Sequence, residues 1–333
     1  MKISDPIFRI SAKEMRDLQK EKVEMKKTIP HPIQYQGSKR NLASAILNYV
    51  PKDVECLIEP FVGSAAISIA AASYNMAKTY LLNDLNKPLS ELLQLIVEAP
   101  IETADFYEKV WSGWEKDSIE HYYKVREDFN RTQDPRLFLY ILARCVKGAV
   151  RYNSDGLFNQ SPDKRRQGTQ PQRMRDNILG MSSLLKGRTK FLSSDYRNVL
   201  AHAKVGDLVY MDPPYQGVCG DRNSRYFIGI NHDDFVNALG DLNLRKISYI
   251  VSYDGRRGNK SFGELLPDSL KLTRIELNAG RSSQSTLLGI DENTYESLYL
   301  SQALMNRLNH QPVNYAYLPI QRSNLNEAIA QRA

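Results

Sequence analysis

Hydrophobic and polar positions along this chain fall into two regimes. From Ile29 onward, short apolar runs alternate with helical stretches: Cys56-Leu57-Ile58 and Thr79 to Leu82 read as strands, Ala65 to Ala72 and Asn86 to Val97 as helices. Leu208-Val209-Tyr210-Met211 reads as a buried strand, and Ile247 to Ser252, Lys271 to Leu277 and Tyr295 to Leu300 supply later ones. This alternation predicts an α/β fold with a mostly parallel sheet and helices on both faces. Between about Ile101 and Lys186 the strand signal vanishes and amphipathic helices take over. Phe106, Val110, Trp111 and Trp114 form one apolar stripe there, and Leu137, Tyr140, Ile141 and Val146 another. The pattern therefore predicts a discontinuous sheet domain of residues 29–100 and 187–304, interrupted by a helical domain over 101–186. Residues 1–28 are charged throughout, with Met15, Leu18, Lys22 and Met25 at helical spacing, and predict a surface helix; 305–333 is read as a C-terminal tail.

Charge sharpens this division. The 333 residues carry 45 Lys and Arg against 38 Asp and Glu, a formal net charge of +7. Ten basic residues lie between Arg144 and Arg188, with only Asp155, Asp163 and Asp176 opposing them, so the surplus of this one window equals that of the whole chain. A local basic patch of that kind predicts contact with a phosphate backbone. Cys56, Cys145 and Cys219 are too few and too scattered for a disulfide framework or a zinc cluster, which predicts a reducing compartment and no metal site. No stretch approaches the apolar length of a spanning helix or a secretory leader, so a cytoplasmic protein is expected.

The candidate chemistry lies at Asp212-Pro213-Pro214-Tyr215, where the apolar run 208–211 meets a loop. Each Pro fixes its own φ and lacks an N–H, so the loop is stiff and the Pro213 carbonyl is free to accept. A carboxylate and a carbonyl facing one point can hold both hydrogens of an exocyclic amine, and the Tyr215 ring offers a surface on which a base can stack. The implied substrate is a nucleobase amine. Upstream, the strand at residues 56–58 runs into the turn Phe61-Val62-Gly63-Ser64, and the next strand ends in Asn83-Asp84. In such units a ligand binds beyond the strand C-termini, and an acid at that spacing can accept from both ribose hydroxyls. The alternative for Asp84 is to cap the following helix.

Inside the basic patch, Val150-Arg151-Tyr152-Asn153, Ser154-Asp155-Gly156 and Leu157-Phe158-Asn159 predict a short hairpin turning at Asp-Gly. Arg can read guanine and Asn adenine, while Tyr or Phe can wedge between bases. The alternative is a surface hairpin packed by its own aromatics. After the tetrad, Tyr226-Phe227-Ile228 and Asn231-His232-Asp233 lead into a helix, where His232 either caps the helix or enters a base pocket; the polar loop Arg281-Ser282-Ser283-Gln284-Ser285 is a further candidate for touching DNA.

Six elements taken in order resemble the Dam-like, D12 class of DNA adenine N6-methyltransferases. They are Tyr35-Gln36-Gly37-Ser38-Lys39, Glu59-Pro60-Phe61-Val62-Gly63-Ser64, Asn83-Asp84-Leu85-Asn86, Arg151-Tyr152-Asn153 with Gly156 and Phe158-Asn159, Ser194-Asp195-Tyr196, and Asp212 to Tyr215. The resemblance covers roughly Ile33 to Ser301. It implies a Rossmann-like methyltransferase sheet with an inserted DNA-recognition domain, and S-adenosylmethionine as methyl donor. Tyr35, Lys39 and the Phe61 to Ser64 loop would surround the donor's methionine part, with Asp84 on the ribose and Asp195 near the adenine. Gly37, Ser38, Pro60 and Tyr196 complete the implied cofactor set, and Asp212 would lie between cofactor and target. The DNA contacts expected are Arg144, Lys147, Arg151, Tyr152, Asn153, Phe158, Asn159, Arg165, Arg166 and Arg281. The partners implied are double-stranded DNA and a restriction endonuclease acting on the same site. One departure stands out: the family's loop is usually Phe-x-Gly-x-Gly, and its second Gly is Ala65 here.

Three other readings fit these residues less well. Cytosine C5 methylation needs a Cys nucleophile, usually after Pro, and no Cys here follows a Pro. RNA and protein-amide methyltransferases share the cofactor fold, but usually carry Asn where this chain has Asp212. A DNA-binding protein that no longer turns over is opposed by the intact tetrad and Asp84.

Overall fold

The computed structural model describes residues 28–113, 118–214, 230–257, 260–262, 265–281 and 293–309. The expected N-terminal helix, Trp114, Tyr215, Cys219, the 226–228 stretch, the 282–285 loop and the tail beyond residue 309 lie outside them. Strand β4 (Leu208–Met211) is buried at all four positions, as a wholly apolar strand must be when helices cover both sheet faces. Around it run β1 (Val54–Glu59), β2 (Ala77–Asn83), β3 (Thr189–Leu192), β5 (Ser248–Arg257), β6 (Lys260–Phe262), β7 (Thr273–Arg281) and β8 (Asn293–Leu300). Seven strands follow the order β3-β2-β1-β4-β5-β8-β7, and β6 pairs with β5 off this path. The pairs from β3 to β5 are parallel, whereas β8 runs antiparallel to both β5 and β7. The expected α/β sheet, mostly parallel, is therefore present, and its last strand in sequence is antiparallel to both neighbours.

Strand alternation divides the core. Leu57, Leu208 and Tyr210 point to one face, and Ile58, Val209 and Met211 to the other. The first face is covered by α1 (Ala43–Leu47), α2 (Ala66–Ser73) and α3 (Lys87–Glu98). The second is covered by α8 (Tyr196–Ala201) and α9 (His232–Leu244), through Val199, Phe235 and Leu239. Between them in sequence lie α4 (Pro100–Trp111), α5 (Ser118–Thr132), α6 (Pro135–Arg144) and α7 (Pro171–Leu185); α10 (Gln302–Asn309) closes the described chain. The helical insert shares its apolar core with the first sheet face: one cluster runs from Ile46 and Leu93 through Tyr107, Phe129 and Phe138 to Leu185. In α4 the buried side is Thr103, Ala104 and Tyr107, so the stripe expected from Phe106, Val110 and Trp111 is only half-buried.

Ala65 stands just before α2 with φ of 56°, in the left-handed region, and is fully buried. That conformation explains why Gly is usual at this place, since a Cβ there costs about 1 kcal/mol. Among the described residues no helix is long and apolar enough to cross a membrane, and no His, Cys, Asp and Glu group is arranged to hold a metal ion.

Candidate active site

A cleft of about 340 Å³ opens where β1, β2, β3 and β4 reach their C-terminal ends. Asn83, the last residue of β2 and 1 % exposed, ties its walls together. Its amide nitrogen donates to the carbonyls of Pro60 (2.9 Å) and Ser194 (3.0 Å), while its oxygen accepts from the Ser194 N–H (2.9 Å). Asp84 sits next, accepting from the N–H of Gly63 at 3.1 Å and of Asn86 at 3.0 Å. Burial pushes the Asp84 carboxyl up to about 6 even though those two N–H groups hold it down. Asp84 thus holds the turn leading into α3, whose cap is Asn86 with no side-chain capping bond, and also lines the cleft. Gly63 takes φ of +49°, and a Cβ on it would stand 3.2 Å from the Tyr35 ring. Opposite, the Ser38 and Ser64 hydroxyls meet at 2.8 Å. On the remaining wall Tyr196 packs its ring 5.2 Å from that of Phe61, with its hydroxyl buried and unpartnered. Asp195 caps α8 and pairs with the Arg197 guanidinium at 2.9 Å, which holds its carboxyl below the usual range.

The floor of the cleft is charged. Lys39, 7 % exposed, places its ammonium 2.9 Å from Asp212 Oδ1 and 2.7 Å from Glu296 Oε1. Burial raises the Asp212 carboxyl to about 6; Lys39 pulls it down and Glu296 pushes it up. Glu59, at the end of β1, is 2 % exposed and accepts from the Ser68 N–H at 2.8 Å. Burial lifts it to about 7. The Tyr210 hydroxyl, two residues before Asp212 on the same strand face, is buried with no partner, and burial drives that phenol well above its ordinary value. Pro213 is buried and Pro214 half-buried at the rim.

All twelve residues expected around a cofactor, Tyr35, Gly37, Ser38, Lys39, Pro60, Phe61, Gly63, Ser64, Asp84, Asp195, Tyr196 and Asp212, line this one cleft, together with Pro213 and Pro214. Sequence reasoning quoted Glu59 within a motif without giving it a role, and missed Tyr210 and Glu296. Tyr210 lies two residues before Asp212 and alternates onto its face. Glu296 carries no local signal beyond being a charged position within a strand.

The chain matches the family model of the D12 class N6 adenine-specific DNA methyltransferases over residues 35–280. It belongs to that family. Similar curated proteins include the DNA adenine methylase of Serratia marcescens, 29% identical over 230 residues, a match spanning 67% of this chain and 79% of the relative. The Modification methylase StsI of Streptococcus sanguinis is 26% identical over 277 residues, 78% of this chain but only 41% of that protein. The DNA N-6-adenine-methyltransferase of Escherichia phage P1 is 27% identical over 234 residues, 66% of this chain and 29% of the relative.

In this D12 methyltransferase the segment expected to read DNA is built differently from its sequence-based picture. The hairpin is present: Tyr152 bridges Phe158, Asn153 N–H bonds to the Leu157 carbonyl at 2.9 Å, and Gly156 takes φ of 74° at the turn. Its aromatics, however, face inward. Phe158 is 1 % exposed and packs edge-on against Phe129, Phe138 and Tyr152, so it is unavailable as a wedge. Tyr152 is 8 % exposed and receives a hydrogen bond from the Asn86 amide at 3.1 Å, beside Asp84. The self-packed hairpin thus describes both rings. Asn153 spends its oxygen on the N–H groups of Asp155 and Leu157, holding the turn.

Arg144 is a further correction. It is 2 % exposed, and its guanidinium donates to the carbonyls of Asp163 and Arg166 and to Ser118, fixing the 163–166 loop over the end of α6. It cannot reach a phosphate. Arg175 is taken up by Asp105 and Glu108, and Lys186 donates to the Glu98 carbonyl. Among the expected DNA contacts, Lys147, Asn159, Arg165 and Arg166 are exposed and Arg151 is half-buried; the Arg281 side chain lies outside the described residues. His232 begins α9 one residue after the Asn231 cap and meets the Tyr253 hydroxyl at 3.0 Å.

Proposed function

We propose that this chain is a site-specific DNA methyltransferase that moves a methyl group from S-adenosylmethionine to N6 of an adenine flipped out of double-stranded DNA. The observation that carries this reading is the convergence of Asp212, with one carboxylate oxygen pinned by Lys39, and the cofactor-type residues of the family on a single cleft. The cleft fits the donor in size and in chemistry. Its volume is in the range of small-molecule sites. Gly63 presents bare backbone where a side chain would meet Tyr35, and the buried hydroxyls of Tyr196 and Tyr210 await acceptors. Asp84 would hold the ribose, Asp195 and Tyr196 the adenine end, and the Tyr35 to Lys39 and Phe61 to Ser64 segments the methionine end. When bound, the donor supplies a methyl group already activated on a sulfonium.

The chain's own task is then to prepare the acceptor. The adenine amine is a poor nucleophile because its lone pair is delocalised into the ring. Asp212 and the Pro213 carbonyl, each accepting one amino hydrogen, favour a tetrahedral nitrogen whose lone pair is free. In-line placement in such a site supplies several kcal/mol of the barrier, up to about 7–11 in well-oriented systems. Extrusion of the base costs a few kcal/mol, which stacking on Tyr215 and phosphate contacts from Lys147, Arg165 and Arg166 would offset. A companion endonuclease and a cytoplasmic location belong to the same reading. The helical segment 101–186 is assigned as the recognition domain of the discontinuous catalytic unit.

The test is direct. The protein is incubated with methyl-labelled S-adenosylmethionine and duplex DNA, the DNA is digested, and nucleosides are separated. Label in N6-methyladenine supports the reading; tight DNA binding without any methylated base would make the chain a binding module. Label in RNA alone would move the substrate.

A further inference from the structure

Lys39 is held from two sides. Its ammonium lies between Asp212, at the end of β4, and Glu296, on the antiparallel strand β8, with both contacts under 3 Å. Glu296 is itself anchored: the Ser252 hydroxyl of β5 donates to the same Oε1 that faces Lys39. Ser252 is fully buried, and the β5–β8 register shifts between Ser252 and Gly255, directly beside this contact. The side chains of Lys39 and Glu296 are 8 % and 14 % exposed, so little solvent screens them. A lysine ammonium is a point charge with three donors on a flexible stem. Tied only to Asp212, it is free to swing across both carboxylate oxygens. The second anchor keeps it on Oδ1, 2.9 Å away.

We propose that Glu296 is a positioning residue for methyl transfer: by holding Lys39 on the far side, it confines the ammonium to Oδ1 of Asp212 and reserves Oδ2 for the substrate amine. This rests on the methyltransferase reading. It also sets when Asp212 is ionised. The charged or titratable groups facing that carboxylate are Lys39, Glu296 from β8, Glu59 from β1 and Tyr210 on its own strand. Glu296 adds a like charge, so neutralising it favours the ionised form of Asp212.

The experiment compares the full chain with Glu296→Gln, Glu296→Asp and Ser252→Ala. It measures single-turnover rate against pH on duplex DNA, with donor affinity by calorimetry and the folded fraction by circular dichroism. Glu296→Gln should lower kcat by about 10- to 100-fold on the plateau, the scale of a misplacement near 1 Å. Donor and DNA affinity should change by no more than about threefold, and the acid limb of the rate profile should move to lower pH. Glu296→Asp should restore most of the rate. Ser252→Ala keeps the charge and loosens the anchor, so it should lower kcat with the acid limb in place. A folded Glu296→Gln protein with an unshifted acid limb, or one whose loss lies in donor affinity, overturns the proposal. Should Glu296→Gln not fold, a folded Ser252→Ala protein of full rate overturns it instead. Wild-type protein that makes no N6-methyladenine refutes the parent reading; active wild type with a normal Glu296→Gln variant refutes this inference alone.

Discussion

Replacing Asp212 with Asn should make the protein more stable and stop methyl transfer. Burial raises the Asp212 carboxyl from an ordinary 3.8 to about 6. The folded chain therefore holds this proton more tightly than the unfolded chain does, and ionising the group weakens the fold. The penalty grows as pH rises from about 3.8 through about 6 and is complete above that. A difference of roughly 2 pH units at about 1.4 kcal/mol each sets an upper bound near 3 kcal/mol. Asn has the same shape without the charge, and Lys39 keeps Glu296 at 2.7 Å, so the ammonium is not stranded. After allowance for the weakened Lys39 contact, we expect Asp212→Asn to gain about 1–2 kcal/mol at pH 8 and about half of that at pH 5. Urea denaturation of both proteins at the two pH values measures this. The same variant should lose at least about 100-fold in methyl transfer, because an amide cannot replace the charged acceptor, while DNA binding stays within a few-fold. Equal destabilisation at both pH values, or retained turnover, would refute the reasoning.

Other substitutions separate structural from DNA-contacting and cofactor roles. Arg144→Met should cost about 2–4 kcal/mol, because the carbonyls of Asp163 and Arg166 lose their donor inside the fold; the salt dependence of DNA binding should not change, as thermal melts and salt titrations will report. Arg165→Ala and Arg166→Ala should each reduce the slope of log K against log salt by about 1, with little effect on melting. Asp84→Asn should weaken donor binding by about 10- to 100-fold by calorimetry, since it removes a charged acceptor. In the wild type, donor affinity should fall as pH drops through about 6, where Asp84 takes up its proton.

The sheet was legible because its signal is local. Apolar runs such as Leu208–Met211 are buried on both faces, and motif residues at strand ends are carried to the same rim by the parallel order. The same order brings together in one cleft the twelve residues that the family resemblance implied. The illegible parts depend on contacts remote in sequence. Glu296 joins the site only because β8 inserts beside β5, and pairing order is not written in strand periodicity. Arg144 counted as surface charge until the loop at 163–166 folded its carbonyls around the guanidinium. Tyr152 and Phe158 suggested wedges because a hairpin's sequence does not say which face is covered; Phe129 and Phe138, from α5 and α6, decide it.

The central claim is that Asp212 grips the amine of an extruded adenine. A crystal structure of the protein with duplex DNA and a non-reactive donor analogue tests it most directly. The account predicts an adenine out of the stack, its N6 within hydrogen-bonding reach of Asp212 Oδ2, about 2.7–3.2 Å, and on the side facing the donor's methyl position. An adenine that remains paired, or one seated with N6 away from Asp212 while the donor fills the cleft, would contradict it.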